Sequence, residues 1–208
     1  MKAIVFCDGD IPPQSFFQQY LQSADLVIAA DGGANHAKQL GIIADFIVGD
    51  LDSYIPSGDE TSEIIKEIDQ ETNDLEKALN LALKKNADEV VVVGATGQRL
   101  DHTLKNLSVL LQFHPRFTSI LFIDRYCTIE LIESPFCQDY KTGTSLSLYP
   151  LSGAVEGITT KGLKYPLRNG TLQNGVQDGS SNKTVKKTVE IVFKKGDLLL
   201  IVNHKLIK

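Results

Sequence analysis

A parallel α/β domain running to about residue 125, followed by an antiparallel β-sandwich over residues 126–208, is the architecture this sequence predicts. Three observations predict it. Before Arg125, short apolar runs alternate with segments of helical periodicity, as in a chain of βαβ units. After Arg125 only short β-like runs remain, separated by glycine and proline. And in the first half, one strand-like run after another ends in a loop of glycine and acidic residues.

Residues 3–7 read as a first strand, closed by Asp8-Gly9-Asp10. Residues 16–23 read as a helix with Phe16, Phe17, Tyr20 and Leu21 on one face. A second apolar strand, 26–30, runs into Asp31-Gly32-Gly33-Ala34-Asn35, with a helix expected over 34–40. Glycines at a strand exit let backbone N–H groups approach an anion, and a helix start adds its positive end. The same glycines also suit a plain tight turn.

The third strand leads the stretch around which the chain is organised, Phe46-Ile47-Val48-Gly49-Asp50-Leu51-Asp52-Ser53. In an extended backbone alternate residues point the same way, so Asp50 and Asp52 are expected to aim their oxygens at one point roughly 6–7 Å across. That is the outline of a magnesium site, since this ion takes one or two carboxylates and leaves its other positions to water and phosphate. A polar loop with Pro56-Ser57-Gly58 follows, then a helix from about Thr61 ahead of a strand-like run at 64–68. In the acidic connection 69–74, Thr72 or Asn73 can cap a helix carrying Leu75, Ala78, Leu79, Ala82 and Leu83.

Residues 89–93 form the clearest buried strand, β-branched and expected to be central. It enters Gly94-Ala95-Thr96-Gly97-Gln98-Arg99-Leu100-Asp101-His102, then a helix over 103–113 and a strand over 119–124. Beyond Arg125 the expected strands are 127–132, 145–149, 154–159, 188–193 and 198–203.

Composition narrows the function. The 208 residues are 42% hydrophobic and 23% charged, the balance of a folded globular protein, and the net charge of -5 disfavours nucleic acid or an anionic membrane as partner. Cys7, Cys127 and Cys137 form no Cys-x-x-Cys pair, so neither a disulfide framework nor a zinc site is indicated. The N-terminal residues pass directly into a strand with no leader, and no run of about 18 apolar residues occurs, so a cytoplasmic protein is expected. His36, His114 and His204 show no ligand spacing. His102, beside Asp101, suits a base or an orienting group.

In an open parallel sheet, ligands bind beyond the carboxyl ends of the strands. Four such loops converge there, with carboxylates, glycines and Arg99, whose planar fork suits phosphate as well as an ion pair with Asp101. A metal-phosphate site is the expectation.

These motifs resemble the thiamine pyrophosphokinases. The likeness is carried by Asp31-Gly32-Gly33-Ala34-Asn35, Gly49-Asp50-Leu51-Asp52-Ser53, Asp69-Gln70 with Thr72 to Ala78, and Gly94-Ala95-Thr96-Gly97 with Arg99-Leu100-Asp101-His102. It continues through Thr160-Lys161-Gly162-Leu163-Lys164-Tyr165-Pro166-Leu167 and Gly179-Ser180-Ser181-Asn182. The resemblance implies a Rossmann-like catalytic domain plus a thiamine-binding sandwich, transfer of pyrophosphate from ATP to thiamine with Mg2+, and a homodimer with its site at the subunit interface. It implies a catalytic set of Asp50, Asp52, Asp74 and Asp101, the first three on the metal. ATP would meet Asp31, Gly32, Gly33, Asn35, Lys77, Gly94, Thr96, Gly97 and Arg99. Thiamine would meet Gln70, Thr72, Asp101, His102, Ser180, Ser181 and Asn182. Gln98 and Lys183 depart from the family pattern, where a glycine and an acidic residue are common. Pyrophosphate transfer to another hydroxymethyl heterocycle, such as a pterin, and non-catalytic sensing of thiamine or nucleotide are the alternatives.

Overall fold

The computed structural model describes residues 1–56, 58 and 61–204; Ser57 of the polar loop lies outside the described residues. The chain divides into two units, Met1–Arg125 and Tyr126–Lys208.

The first unit contains β1 (Lys2–Phe6), α1 (Gln18–Ser23), β2 (Leu26–Ala30), α2 (Gly33–Gln39), β3 (Phe46–Gly49), β4 (Glu63–Lys66), α3 (Asp74–Lys84), β5 (Glu89–Val93), α4 (Leu100–Phe113) and β6 (Ser119–Ile123). Its strands are all parallel, in the order β6-β5-β1-β2-β3-β4. The chain winds outward from β1 to β4, then returns to the other side of β1 with β5. That reversal opens a crevice at the carboxyl ends of β1 and β5, where doubly wound sheets bind ligands. Ile4, Phe6, Phe17, Val93 and Ile123 form one buried cluster, and Phe6 meets Phe17 edge to face at 5.7 Å between ring centres. Leu75, Ala78, Leu79 and Ala82 make the buried face of α3. Each buried large side chain contributes about 1.5–3 kcal/mol.

Three expectations for this unit change. Phe16 ends a short 3-10 turn, Gln14–Phe16, and the α-helix starts only at Gln18, after Pro12-Pro13 has set an extended entry. No helix forms at Thr61; Ile64 and Ile65 pair in register with Ile47 and Val48, so the sheet claims these β-branched residues directly. Helix α4 begins at Leu100 instead of Thr103, which puts Asp101 in its first turn, where a carboxylate favours the helix dipole.

The second unit has two antiparallel sheets. β7 (Cys127–Ile132), β9 (Ser145–Pro150), β12 (Gly179–Lys183) and β14 (Leu198–Asn203) assemble as β12-β9-β14-β7; β8 (Phe136–Asp139), β10 (Val155–Lys161), β11 (Gly170–Leu172) and β13 (Thr188–Val192) assemble as β11-β10-β13-β8. Leu146, Leu148, Ile158, Leu172, Val189, Ile191, Leu198 and Leu200 fill the core of this unit. β8, β11 and β12 were not expected. Each is an edge strand, short or polar, and alternation is weakest where only one neighbour fixes the register. Among the described residues no helix is long and apolar enough to cross a membrane.

Candidate active site

At the carboxyl edge of the first unit's sheet lies a cavity of about 600 Å³, walled by the loops that leave β1, β2, β3 and β5 and by the connection into α3. Its floor is a carboxylate cluster. Oxygens of Asp31, Asp50 and Asp74 all lie within 4.8 Å of one another. Three elements deliver them, and Gly49 lets them meet: a Cβ there would come 2.8 Å from the Asp31 Cβ and 3.0 Å from the Asp74 Oδ1.

Asp31 is 4% exposed and sits at a left-handed φ of 43°. Its carboxylate accepts N–H groups from Ser53 and Tyr54, each at 3.1 Å. Burial pushes the acid's pKa above the usual aspartate range, the Ser53 N–H pulls it down, and the charge of Asp74 pushes it up again. Asn35 does related work, donating to the Ser53 carbonyl at 2.9 Å and accepting from the Ile55 N–H at 3.0 Å. The Asp31-to-Asn35 motif therefore clasps the Asp50 loop. Gly33 keeps α2 against β1, since a Cβ there would meet the Phe6 carbonyl oxygen at 2.1 Å.

Asp50 and Asp52 do not share an extended backbone. Leu51 has φ of 65°, which turns the chain between them. Asp50 enters the cluster; Asp52 stands exposed on the cavity wall, accepting from the Ser53 hydroxyl at 2.9 Å.

Asn73 caps α3. Its side chain accepts the Glu76 N–H at 2.9 Å, and Glu76 accepts the Asn73 N–H at 3.0 Å, a reciprocal box that fixes Asp74 at the first helical position. Lys77, one turn on, is 3% exposed and ion-paired with Asp74 at 3.1 Å. Before the cap, Asp69 accepts the Thr72 hydroxyl at 2.7 Å and the Glu71 N–H at 3.1 Å, bonds that hold its pKa below the usual range. Gln70 and Thr72 line the cavity.

The loop after β5 is tied to the loop after β1. Gly9 N–H donates to the Gly94 carbonyl at 2.9 Å and Asp10 N–H to that of Thr96 at 2.8 Å. Gln98, at a φ of 52°, reaches back with Nε2 to the Asp8 carbonyl at 2.8 Å. Gly94, Gly97 and Arg99 line the cavity, whereas Thr96 is 7% exposed and gives its hydroxyl to Asp124 at 2.6 Å. Arg99 forks onto Asp101 with bonds of 3.1 and 2.6 Å, which lowers the Asp101 pKa. His102 lines the cavity beside them.

Asp8, Gly9, Lys105 and Asn106 also line the cavity, though none was expected at the site. Asp8-Gly9-Asp10 carries the same strand-then-acid-and-glycine signal as the loops after β2, β3 and β5. Lys105 and Asn106 follow His102 at helical spacing, a signal visible only once α4 is known to start at Leu100. Asn106 accepts from Asn73 Nδ2 at 2.8 Å and donates to the Ala95 carbonyl at 2.7 Å, joining the α3 cap to the β5 loop.

Ser180, Ser181 and Asn182 lie on β12 of the second unit. The register against β9 shifts between Gly179 and Asn182, and Ser181 takes φ of 59° in the resulting bulge. Asn182 is 7% exposed. Its Oδ1 accepts from Tyr165 N–H at 3.1 Å and Lys183 N–H at 2.9 Å, and its Nδ2 donates to the Tyr165 carbonyl at 2.8 Å. The Asn182 amide, expected to meet thiamine, is thus engaged by the backbone at Tyr165.

The wall is chemically lopsided. Asp8, Asp31, Asp50, Asp52, Asp69, Glu71 and Asp74 place seven carboxylates on it, against the three cations Lys77, Arg99 and Lys105. Such a wall repels a bare polyphosphate and accepts one that arrives with a divalent cation.

Comparison with known proteins gives a consistent likeness. Residues 17–122 match the family model described as thiamin pyrophosphokinase, catalytic domain, and residues 133–198 match thiamin pyrophosphokinase, vitamin B1 binding domain. The chain is 28% identical over 191 residues to the thiamine pyrophosphokinase of Bacillus subtilis, covering 88% of this chain and 89% of that one. It is 29% identical over 237 residues to thiamine pyrophosphokinase 1 of Arabidopsis thaliana, covering 98% and 86%. The crystal structure of the Bacillus subtilis protein superposes with a TM-score of 0.86 at 25% identity, over 99% of this chain and 100% of that one. The structure of thiamin pyrophosphokinase from Candida albicans shares the fold, with a TM-score of 0.85 at 21% identity over 98% and 90%.

Proposed function

We propose residue roles from one premise: this chain belongs to the thiamin pyrophosphokinase family. It is an enzyme that transfers the pyrophosphoryl group of ATP to the hydroxyl of thiamine, giving thiamine diphosphate and AMP. The hydroxyl oxygen bonds to the β-phosphorus and gives up its proton to solvent, the bond from that phosphorus to the α,β-bridging oxygen breaks, and AMP carries that oxygen away.

Met1–Arg125 serves as the catalytic ATP- and Mg2+-binding domain, and Tyr126–Lys208 as the thiamine-binding domain. The observation that carries the metal assignment is the meeting of Asp31, Asp50 and Asp74 oxygens within 4.8 Å at the floor of an acidic cavity. Such hard oxygen donors fit magnesium and suit neither thiolate- nor imidazole-seeking metals. Asp50, Asp52 and Asp74 would hold the ion, and buried Asp31 braces the Asp50 loop. When bound, magnesium neutralises polyphosphate charge as the β-phosphorus is attacked.

The other roles fall to the chain itself. Lys77 and Arg99 hold phosphate oxygens, and Asp101 aims Arg99. Backbone N–H groups around Gly32, Gly94 and Gly97 meet the nucleotide, on loops whose shape Gly33, Asn35 and Thr96 maintain. Gln70, Thr72, Asp101 and His102 from the first domain, with Ser180 and Ser181 from the second, contact thiamine, and Asn182 holds the backbone beside them. The enzyme is a cytoplasmic homodimer with its active site at the subunit interface, and neither nucleic acid nor membrane is a partner.

A panel of hydroxymethyl heterocycles with ATP and Mg2+, read for AMP release, tests this reading. Thiamine should give AMP and thiamine diphosphate in equal amounts. Turnover of a pterin alone would shift the substrate assignment, and thiamine binding without AMP would make the chain a sensor.

A further inference from the structure

Helix α4 presents one side to the cavity: Arg99 at its cap, then His102, Lys105 and Asn106 at helical spacing. Lys105 and Asn106 have no part in the motifs above, and Asn106 is already bonded to Asn73 and the Ala95 carbonyl. The Lys105 Nζ lies 2.8 Å from Glu76 Oε2, with side-chain exposures of 44% for the lysine and 5% for the glutamate. The same oxygen accepts the Asn73 N–H that closes the α3 capping box. A buried carboxylate, fixed at the start of α3, thus anchors an ammonium that stands at the cavity wall. That ammonium has three N–H donors, and the Glu76 contact engages one. The neighbouring cations are more fully committed, Lys77 buried against Asp74 and Arg99 bidentate on Asp101.

We infer that Lys105 is a binding residue for the β,γ-phosphates of the nucleotide, and that Glu76 is the positioning residue that holds it there. The inference rests on the pyrophosphokinase reading and extends it, because seven carboxylates on the wall leave a polyphosphate in need of cations beyond the metal. Half-exposure makes this an electrostatic contact, so its strength should fall with salt.

Calorimetry of α,β-methylene-ATP with Mg2+ on the full-length chain tests the assignment, with AMP as the control that lacks the β,γ-phosphates. Lys105→Met should weaken binding of the analogue about tenfold, or ~1.4 kcal/mol, and leave AMP binding and the thiamine KM within about twofold of wild type. Lys105→Arg should recover most of the loss. Glu76→Gln, which retains an acceptor for the Asn73 N–H but removes the charge, should weaken the analogue by an intermediate factor. If Lys105→Met binds the analogue as wild type does while its Tm falls, Lys105 is only a counter-ion to Glu76 and the inference is wrong. An equal loss for AMP and the analogue would also overturn it. Wild-type protein that binds the analogue but makes no thiamine diphosphate from ATP and thiamine would defeat the enzyme reading alone, and the Lys105 comparison would still decide the phosphate contact.

Discussion

The Lys77 ammonium stands 3.1 Å from Asp74 Oδ1 with only 3% of the lysine exposed, so a buried cation sits behind the carboxylate cluster. Removing one partner of a buried pair costs about 3–5 kcal/mol, and the partial exposure of Asp74 puts this one near the lower end. Lys77→Met should lower Tm clearly in EDTA, and millimolar Mg2+ should restore most of the loss by supplying the missing positive charge. Thermal melts with and without Mg2+ check this; an equal deficit in both would separate Lys77 from the metal site.

Asp50 and Asp52 should differ in a way that turnover alone hides. Either Asp50→Asn or Asp52→Asn should reduce kcat at least about a hundredfold, roughly 2.7 kcal/mol at 1.36 per decade. Binding of Mg2+ in the absence of nucleotide should weaken only in Asp50→Asn, since only Asp50 belongs to the cluster of three oxygens. Metal titrations of both variants decide the point, and near wild-type turnover in either would remove that residue from the site.

Asp31 supplies a pH signature. Its folded pKa is raised, chiefly by burial, so the folded protein keeps this proton to a higher pH than the unfolded chain does. Between the two values Asp31 therefore makes stability fall as pH rises, and the penalty persists above the folded value. Cation binding should expel the proton. Magnesium titrations in buffers of different ionisation heat should show proton release at pH values above the ordinary aspartate range, and Asp31→Asn should abolish it. Release unchanged in that variant would assign the proton elsewhere.

Asn182→Ala removes three bonds that involve the backbone of Tyr165 and Lys183. Leaving such groups unpaired costs about 1–3 kcal/mol. Tm should drop and thiamine affinity should fall roughly tenfold, with ATP affinity nearly unchanged. Loss of ATP binding with thiamine binding intact would contradict the proposed division between the domains.

Shared sites make a separate prediction. A mixed dimer of Asp50→Asn and Asn182→Ala chains would hold one site with both lesions and one with neither, and, assayed with thiamine well below the wild-type KM, where both parent dimers are weak, should recover up to about half of wild-type activity. No recovery, with subunit exchange verified by mass spectrometry of labelled chains, would place each site within a single subunit.

The parallel strands of the first unit were legible because Val, Ile and Ala runs of four or five residues have few other uses, and the loops could be placed once their strands were. Which carboxylates meet was not legible. A single left-handed residue, Leu51, sends Asp52 away from Asp50, and a glycine on β3 admits Asp31 from β2. Neither is a matter of local periodicity. Gly179 to Lys183 eluded prediction for another reason: Gly-Ser-Ser-Asn-Lys has no apolar alternation, and its strand exists because β9 offers a partner.

The bond from Gln98 Nε2 to the Asp8 carbonyl closes a left-handed turn that a glycine would leave loose. Fixing one residue's backbone costs about 1–2 kcal/mol, and a turn that is fastened by its own side chain meets that cost during folding. On the proposed assignment a polyphosphate would meet a preorganised cradle, and less of its contact energy would be consumed in ordering the loop. Gln98→Gly should accordingly bind nucleotide with a less favourable entropy and a similar enthalpy.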